Sequence, residues 1–181
     1  MNSPLSRPLL IGAAGFGLGV MAAASRKVVM QAPSVAAGDW TRALAAEHRM
    51  VEALFEATLK TTSKQAGRRK AAILKIGYAL TKHGLSEENA VYPLLMHGEH
   101  KDIAQRLYGD HGEIKTFVHD LKLEPADSPE WLGKLEAFRD LVVEHAREEE
   151  EEIFPELKAR MSPRENGKLT LLANYEALKV A

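Results

Sequence analysis

The sequence predicts an all-α protein: an up-down-up-down antiparallel four-helix bundle with a short fifth helix and an apolar N-terminal segment. From Asp39 onward, apolar residues recur at helical spacing, and no run shows the alternation typical of a strand. Residues that favour helix are plentiful, whereas aromatic residues make up only 6% of the chain. A chain of 181 residues with 45% hydrophobic residues is long enough for one domain with an apolar core.

Charge and sulfur content exclude several classes of protein. The formal net charge of −1 gives no electrostatic reason to expect nucleic acid as a partner. The absence of cysteine excludes disulfide bonds and thiolate metal sites.

Residues 1–38 differ in composition from the rest of the chain. An uncharged, mostly small and apolar run occupies residues 8–24, with Arg7 before it and two basic residues after it. One interpretation is a signal peptide, with a basic start, an apolar stretch and the alanines at 22–24 as a cleavage site.

Two other interpretations of this run remain open. It could be a short membrane helix, because 17 residues is the lower limit for spanning a bilayer and Gly15 and Gly19 form a GxxxG motif. It could also be a Gly/Ala-rich tail without a membrane role. We expect export or membrane anchoring through residues 1–24 rather than a plain cytoplasmic location. Residues 31–38 then form a linker to a bundle over residues 39–181.

The first two helices are predicted over residues 39–62, with Asp39 as N-cap, and 63–98. The apolar face of the first is Leu44, His48, Val51 and Phe55. The apolar face of the second is Ile73, Ile76, Leu80, His83, Glu87, Val91 and Leu94. Pro93 lies within the second helix, so we expect a kink or a distorted last turn there.

The third helix is predicted over residues 99–123 and is followed by a loop at 124–127. Its apolar face is Ile103, Leu107, His111, Ile114, Val118 and Leu121. Ser128 and Pro129 then begin the fourth helix as N-cap and first-turn proline. The apolar face of the fourth is Leu135, Phe138, Val142, His145, Glu149, Ile153 and Leu157. The same Ser-Pro signal at 162–163 begins a short fifth helix.

Six polar residues interrupt these apolar faces. Each of the four main helices contributes a histidine, and the second and fourth also contribute a glutamate one turn later. The six are His48, His83, Glu87, His111, His145 and Glu149. Imidazoles and carboxylates are costly to bury unless they are paired or bind metal. A single one would usually be a satisfied core histidine, but six over four helices indicate a common cause.

The six residues are expected at one level of the bundle. In an up-down bundle, residues equidistant from a turn lie at the same height. The midpoint between His48 and the 83/87 pair falls near the break at residues 65–67. The next midpoint is Gly98, and the third, between His111 and the 145/149 pair, is Pro129.

HxxxE spacing places the imidazole and the carboxylate on one helix face, about 6 Å apart along the axis. Each pair can give a nitrogen to one metal and a carboxylate that bridges two, which suits two iron or manganese ions. Four histidines and two glutamates are more than one zinc ion would use. By contrast, His97, His100 and His119 lie away from this level and are expected at the surface. The glutamates at 148–152 form a mostly solvated face in which Glu149 alone lies on the apolar face.

Four stretches, EHRMVEALF at 47–55, HGLSEE at 83–88, DHGEI at 110–114 and HAREEEEEIFP at 145–155, resemble the hemerythrin family. The resemblance is specifically to the bacterial hemerythrin-like cation-binding (HHE) domains, and it covers about residues 39–160. In both HxxxE segments an aromatic-Pro pair begins nine residues after the histidine; the first is Tyr92-Pro93.

The resemblance implies a non-haem di-iron centre that binds dioxygen. It makes His48 and His83 terminal ligands of one iron and His111 and His145 those of the other, with Glu87 and Glu149 as bridges. One departure is Lys115, which occupies the place of a further histidine in the oxygen-carrying hemerythrins; water or another carboxylate would then complete the ligand set. Another is that Gly84 and Gly112 follow ligands within helices, at a cost of about 1 kcal/mol each relative to alanine.

Three functions are compatible with these residues and their spacing. The first is a protein that binds dioxygen, or nitric oxide, for sensing, storage or delivery. The second is a di-iron peroxidase, a ferroxidase or an enzyme that handles nitric oxide. The third is a structural bundle whose polar layer binds zinc or no metal. Ferritin-like oxidases use Glu-x-x-His, and no histidine here has a glutamate three residues before it.

Overall fold

The computed structural model describes residues 38–96 and 100–180, and these ranges contain five helices of 16 or more residues. They are α1 (Trp40–Leu59), α2 (Ala66–Ser86), α3 (Lys101–Leu123), α4 (Glu130–Glu148) and α5 (Pro163–Leu178). α2 is continued by a π-helix (Glu87–Val91) and a short α-helix (Tyr92–Leu95), and α4 by a π-helix (Glu149–Ile153) and a short α-helix (Phe154–Arg160). A 3₁₀ turn, Ser63–Gln65, precedes α2. No strand occurs in the described ranges, so the all-α prediction is confirmed.

Helices α1 to α4 pack in a ring in which each contacts the next and α4 contacts α1. Trp40, at the start of α1, packs against Phe154, beyond the end of α4, with ring centroids 5.2 Å apart. Phe55, near the end of α1, packs against Phe138 inside α4 at 5.0 Å. α1 and α4 are therefore antiparallel. End-to-start contacts make α1 and α2, and α3 and α4, antiparallel as well. α2 and α3 are also antiparallel, because Gly77 approaches Val118 while Glu88 binds His111.

A polar layer divides the core of the bundle into two apolar clusters. One cluster includes Phe55, Ile76 and Trp131 and lies toward the α1–α2 and α3–α4 turns. The other includes Trp40 and Phe154 and lies toward the opposite end. Helix α5 packs along α2 and the π-helix that follows it. Both clusters exclude water from the layer between them.

The predicted caps of α1 and α5 are confirmed. The Asp39 side chain accepts a hydrogen bond of 3.1 Å from the backbone N–H of Arg42. Ser162 and Glu165 form a capping box, in which each side chain accepts from the other residue's backbone N–H. These bonds satisfy N–H groups that have no partner within the helix.

The predicted N-cap of α4 is wrong. Helix α4 begins at Glu130 with Pro129 as its cap, and Ser128 makes no capping bond. The Ser128 hydroxyl donates instead to the Glu124 carboxylate at 3.0 Å, which also accepts from Lys134. The ion pair with Lys134 holds this carboxylate next to Ser128, so the hydroxyl binds it and not the helix end.

The sequence predicts that the second helix begins near residue 63, and helical turns do begin at Ser63, with a 3₁₀ turn that leads into α2 at Ala66. The backbone N–H of Thr62 donates to the Gln65 side chain at 3.0 Å, which caps this turn. The relative heights of α1 and α2 also agree with the predicted midpoint. Arg69 Nε donates to Thr61 Oγ1 at 3.0 Å, so the level midpoint of α1 and α2 is near residue 65.

The expected distortion near Pro93 takes the form of a π-helix immediately before it. Proline has no N–H and its ring clashes with the preceding turn, so the helix widens. The N–H of Tyr92 bonds to the carbonyl of Glu87, five residues earlier. Phe154 and Glu149 repeat this bond at the end of α4. Both π-helices therefore begin at a glutamate of the predicted site.

The predicted signal or membrane segment lies outside the described residues, as do His97 and the turn at Gly98. In the parts of the chain that are described, no helix combines the length and hydropathy needed to cross a bilayer.

Candidate metal centre

The structure brings the six predicted residues together in the polar layer. Glu87 and Glu149 are completely buried, and the four histidines are 3 to 6% exposed. Their donor atoms form two groups, within each of which all the atoms lie within 4.8 Å of one another. The first group is His48, His83, Glu87 and Glu149. The second group is Glu87, His111, His145 and Glu149.

In the first group the histidine nitrogens face each other closely. Nε2 of His48 lies 2.8 Å from Nε2 of His83. His83 Nε2 is 3.0 Å from Glu87 Oε2, and His48 Nε2 is 3.3 Å from Glu149 Oε2. Each histidine therefore contacts a different glutamate.

The second group repeats this arrangement. Nε2 of His111 lies 3.1 Å from Nε2 of His145. His111 Nε2 is 3.3 Å from Glu87 Oε2, and His145 Nε2 is 3.5 Å from Glu149 Oε2. Both glutamates thus stand between the groups and contact one histidine of each.

A second carboxylate binds the outer nitrogen, Nδ1, of every histidine. The pairs are His48 with Glu150 at 2.8 Å, His83 with Glu47 at 3.1 Å, His111 with Glu88 at 2.8 Å and His145 with Asp110 at 3.3 Å. An ionised carboxylate only accepts hydrogen bonds, so each Nδ1 donates its proton outward, and Nε2, which faces the interior, is the nitrogen that would bind a metal. Carboxylate partners of this kind orient histidine ligands in metal sites.

These outer carboxylates follow an internal two-fold pattern. The histidines of α1 and α3 are lone histidines, because their helices add no glutamate to the two groups of donor atoms. The acid immediately before each lone histidine, Glu47 or Asp110, binds the histidine of the following helix. The second glutamate of each HxxxEE segment, Glu88 or Glu150, binds a lone histidine on a neighbouring helix. The half formed by α1 and α2 therefore corresponds to the half formed by α3 and α4.

The residues fit a bound cation. Two pairs of imidazole Nε2 atoms face each other, at 2.8 and 3.1 Å. Two nitrogens at 2.1 Å from one metal and at right angles would lie about 3.0 Å apart. In addition, Glu87 Oε1 and Glu149 Oε2 are buried and accept no hydrogen bond from any described residue. Both observations agree with donor atoms arranged around metal ions.

Electrostatics in the layer also favour positive charge. Burial alone would lower the pKa of His83, but Glu87 and Glu47 outweigh it and hold the pKa well above its ordinary value. For His111 burial is likewise outweighed, by Glu87 and Glu88, and the pKa rises to about 9. The pKa of Glu87 lies well below its usual range, because His83 and His111 outweigh its burial. The layer therefore attracts cations even though it is buried.

Tyr92 is a residue of the centre that the sequence pattern did not assign to it. Its hydroxyl donates to Glu149 Oε1 at 2.5 Å and lies 3.0 Å from His111 Nε2. Burial, with the charges of Glu87 and Glu149, raises its pKa well above the ordinary value, so the phenol keeps its proton. The π-helix brings Tyr92 over Glu87. At the matching position Phe154 lies near His48, so only the second group has a phenol.

Lys115 does not reach the donor atoms. Its side chain is 64% exposed, and its ammonium binds Glu88 Oε1 at 2.6 Å. Lys82 plays the matching part for the first group, although it is buried: its ammonium binds Glu47 Oε1 at 2.6 Å. One outer carboxylate in each group is thus shared between a lysine and a histidine.

The remaining expectations concern residues away from the centre. His119 is exposed, as expected, whereas His100 is half-buried beside Glu156 and Arg160.

In the run at 148–152, Glu149 alone is fully buried, but Glu150 also contacts the centre through His48. The six residues predicted from the sequence do not include Glu88 or Glu150, although the second glutamate of each HxxxEE segment is a signal that could have indicated them.

Comparison with known proteins agrees with this geometry. The family model "Hemerythrin HHE cation binding domain" matches residues 40–157. A protein named DNA nickase, from Nostoc sp. (strain PCC 7120 / SAG 25.82 / UTEX 2576), is 28% identical over 83 residues. That match covers 46% of this chain and 24% of the nickase, so the chain spans about a quarter of that relative's length. No solved structure matches. The match of the family model over most of the bundle shows that the chain belongs to the hemerythrin family of HHE cation-binding domains.

Proposed function

We propose that this chain is a non-haem di-iron protein that binds dioxygen, or nitric oxide, for sensing, storage or delivery. One observation carries the proposal: two groups of donor atoms share Glu87 and Glu149, and each adds two histidines of its own. A single metal in one group would leave the two buried histidines of the other group without a metal, at a cost in free energy.

The donor set favours iron. Imidazole and carboxylate ligands suit iron and manganese, and the absence of thiolates removes the softer metals from consideration. Zinc also binds such ligands but prefers four of them around one ion. Two divalent cations, together with the ammonium groups of Lys82 and Lys115, would balance Glu87, Glu149 and the four outer carboxylates. Bound iron would supply the redox chemistry that dioxygen binding requires.

The chain's own residues hold and shield the centre. The outer carboxylates fix the orientation of each imidazole ring, so the Nε2 atoms point inward before metal arrives. The apolar clusters above and below exclude water. Tyr92 places a phenol oxygen among the donors of the second group, and Phe154 keeps the first group apolar on that side.

A di-iron peroxidase or ferroxidase is the alternative. It is favoured by the position of Lys115, whose ammonium binds Glu88 and adds no nitrogen to the centre. Each group then has only two histidines, which leaves coordination positions for exchangeable ligands. Sustained consumption of hydrogen peroxide by the iron-loaded protein would support this alternative over reversible binding.

The nickase match gives no argument for DNA cleavage, because it covers 24% of that protein. We also propose that residues 1–24 export the protein or anchor it to a membrane, on the basis of the uncharged run at 8–24. Cell fractionation of the full chain and of a chain without residues 1–38 tests this. A soluble cytoplasmic distribution of both would contradict it.

Anaerobic loading with ferrous iron tests the main proposal. The full chain is loaded, iron per chain is counted, and the visible spectrum is recorded before and after adding air. We expect two irons and an absorption band that appears in air and disappears when oxygen is removed. His119→Ala, on the exposed face of α3, should behave like the wild type. An immediate irreversible change supports the oxidase alternative, and one metal or none contradicts the di-iron assignment.

A further inference from the structure

A cavity of about 160 Å³ lies between α2 and α3 and ends at the centre. The rings of all four histidines form its inner end. Its walls include Leu80, Ile114, Val118 and Val142, all of which are buried. Thr81 and Lys115, which are exposed, mark its mouth. The cavity therefore joins the solvent to the buried histidines along an apolar path.

Two glycines of α2 line this cavity. Gly77 and Gly84 are seven residues apart, so both lie on the same face of the helix. A Cβ atom at Gly84 would lie 3.4 Å from His111 Nδ1 and 3.5 Å from Glu88 Oε1. The missing side chain leaves space directly beside His111. At the position of α4 that matches Gly84, the internal two-fold pattern places Ala146.

The corresponding cleft on the other side of the bundle has a different character. It lies between α1 and α4 and also reaches His48, but five charged residues line it. They are Arg49, Glu52, Arg147, Glu150 and Glu151. The approach between α2 and α3 is therefore more apolar than the approach between α1 and α4. At the mouth of the apolar cavity, Lys115 and Glu88 bind each other, which satisfies their charges without a ligand.

The cavity is too large for a diatomic ligand alone. An engineered cavity of about 150 Å³ with apolar walls stays dry and binds benzene, whereas one water molecule occupies about 30 Å³ of liquid. We propose that this cavity is a binding site for a small, uncharged, apolar organic molecule of about the size of benzene, held against the histidines. This site goes beyond binding of dioxygen or nitric oxide, and its walls do not require the metals.

Benzene titration of the full, metal-free chain tests the proposal. The methyl resonances of Leu80, Ile114 and Val118 report binding, and xenon serves as a gas-sized probe in a parallel titration. Ile114→Phe fills the cavity with a ring. Leu74→Phe is the matched control, because Leu74 lies on α2 and is 58% exposed. Val142→Ile narrows the opposite wall by one methylene group and decides the question if Ile114→Phe does not fold.

We expect saturable benzene shifts in the wild type and in Leu74→Phe, weakened by about tenfold or more in Ile114→Phe and measurably weakened in Val142→Ile. Shifts with xenon but none with benzene would show a cavity that admits only gases and would overturn the proposal. Equal benzene affinity in the wild type and the wall variants would also overturn it. Since no metal is present, none of these outcomes depends on the di-iron assignment.

Discussion

At the scale of single residues, the outer carboxylates matter as much as the predicted ligands. Glu47 illustrates this, because it accepts from His83 Nδ1 at 3.1 Å and from the buried ammonium of Lys82 at 2.6 Å. Its pKa falls to about 2, since His83 and Lys82 outweigh the effect of burial. Glu47 therefore orients a ligand and balances a buried positive charge at the same time.

Glu47→Gln should lower the free energy of unfolding of the metal-free protein by about 3 kcal/mol, because it breaks the buried ion pair of Glu47 with Lys82. Urea denaturation at neutral pH measures the change. Glu52→Gln, on the exposed face of α1, is the control and should stay within about 0.5 kcal/mol of the wild type. Equal stability of the two variants would show that the Glu47 pair does not stabilise the fold.

Tyr92→Phe removes the hydroxyl that donates to Glu149 Oε1 at 2.5 Å. This oxygen is buried, so losing its donor should destabilise the metal-free protein by about 1–3 kcal/mol. Thermal unfolding measures the effect, with Tyr175→Phe, at a residue that is 60% exposed, as control. A Tyr92→Phe protein as stable as this control would contradict a role for the phenol in satisfying Glu149.

At the scale of helices, the Asp39 N-cap gives α1 a pH-dependent anchor. Burial opposes the change, but bonds from Lys158, Thr41 and the N–H of Arg42 lower the pKa of Asp39 from 3.8 to about 2. The folded-state pKa is the lower one, so the stabilisation is fully present above pH 3.8 and is lost as the pH falls to about 2.

Asp39→Ala should cost about 1 kcal/mol at neutral pH, as is usual for loss of an N-cap. The difference from the wild type should shrink as the pH falls from 3.8 to about 2. Urea midpoints at several pH values measure it. A difference that does not change over this range would mean that the charge of Asp39 contributes nothing.

Two Gly→Ala substitutions within helices should change the free energy of unfolding in opposite directions, because the packing around the two glycines differs. A Cβ at Gly77 would lie 2.8 Å from Val118 Cγ1, and valine has little freedom to move away. Gly77→Ala should therefore lower the free energy of unfolding by about 1 kcal/mol despite the better helix propensity of alanine. Gly133→Ala, in α4, meets nothing within 4 Å and should raise it by about 0.5–1 kcal/mol. Stabilisation by both substitutions would contradict the close contact of α2 with α3.

The helices and the six polar residues could be predicted from the sequence because both depend on backbone geometry. Periodicity places His48 or His145 on an apolar face, and distance from a turn sets its height.

The cap at Ser128 and the role of Tyr92 depend on side-chain contacts that periodicity does not report. Ser128 binds Glu124, and Tyr92 reaches the centre only because the helix widens before Pro93. Glu88 and Glu150 lie beside apolar-face positions, and their role follows from the approach of a neighbouring helix.

At the scale of the whole molecule, the polar layer sets the balance between stability and function. Six buried titratable groups divide what would otherwise be one continuous core. A metal ion that binds only the folded state would offset part of the free-energy cost of burying these groups, because binding shifts the equilibrium toward the folded protein. The two-fold pattern of outer carboxylates gives both halves of the bundle the same ligand geometry. The phenol of Tyr92 distinguishes the second half, and the apolar cavity distinguishes the α2–α3 side of the bundle from the α1–α4 side.

Anomalous X-ray diffraction at the iron edge from crystals of the iron-loaded full chain tests the central claim most directly. We expect two peaks about 3.5–4 Å apart, the spacing of two-metal sites. One peak should lie at His48 and His83, the other at His111 and His145, with Glu87 and Glu149 between them. A single peak, or peaks away from the shared glutamates, would contradict the di-iron centre.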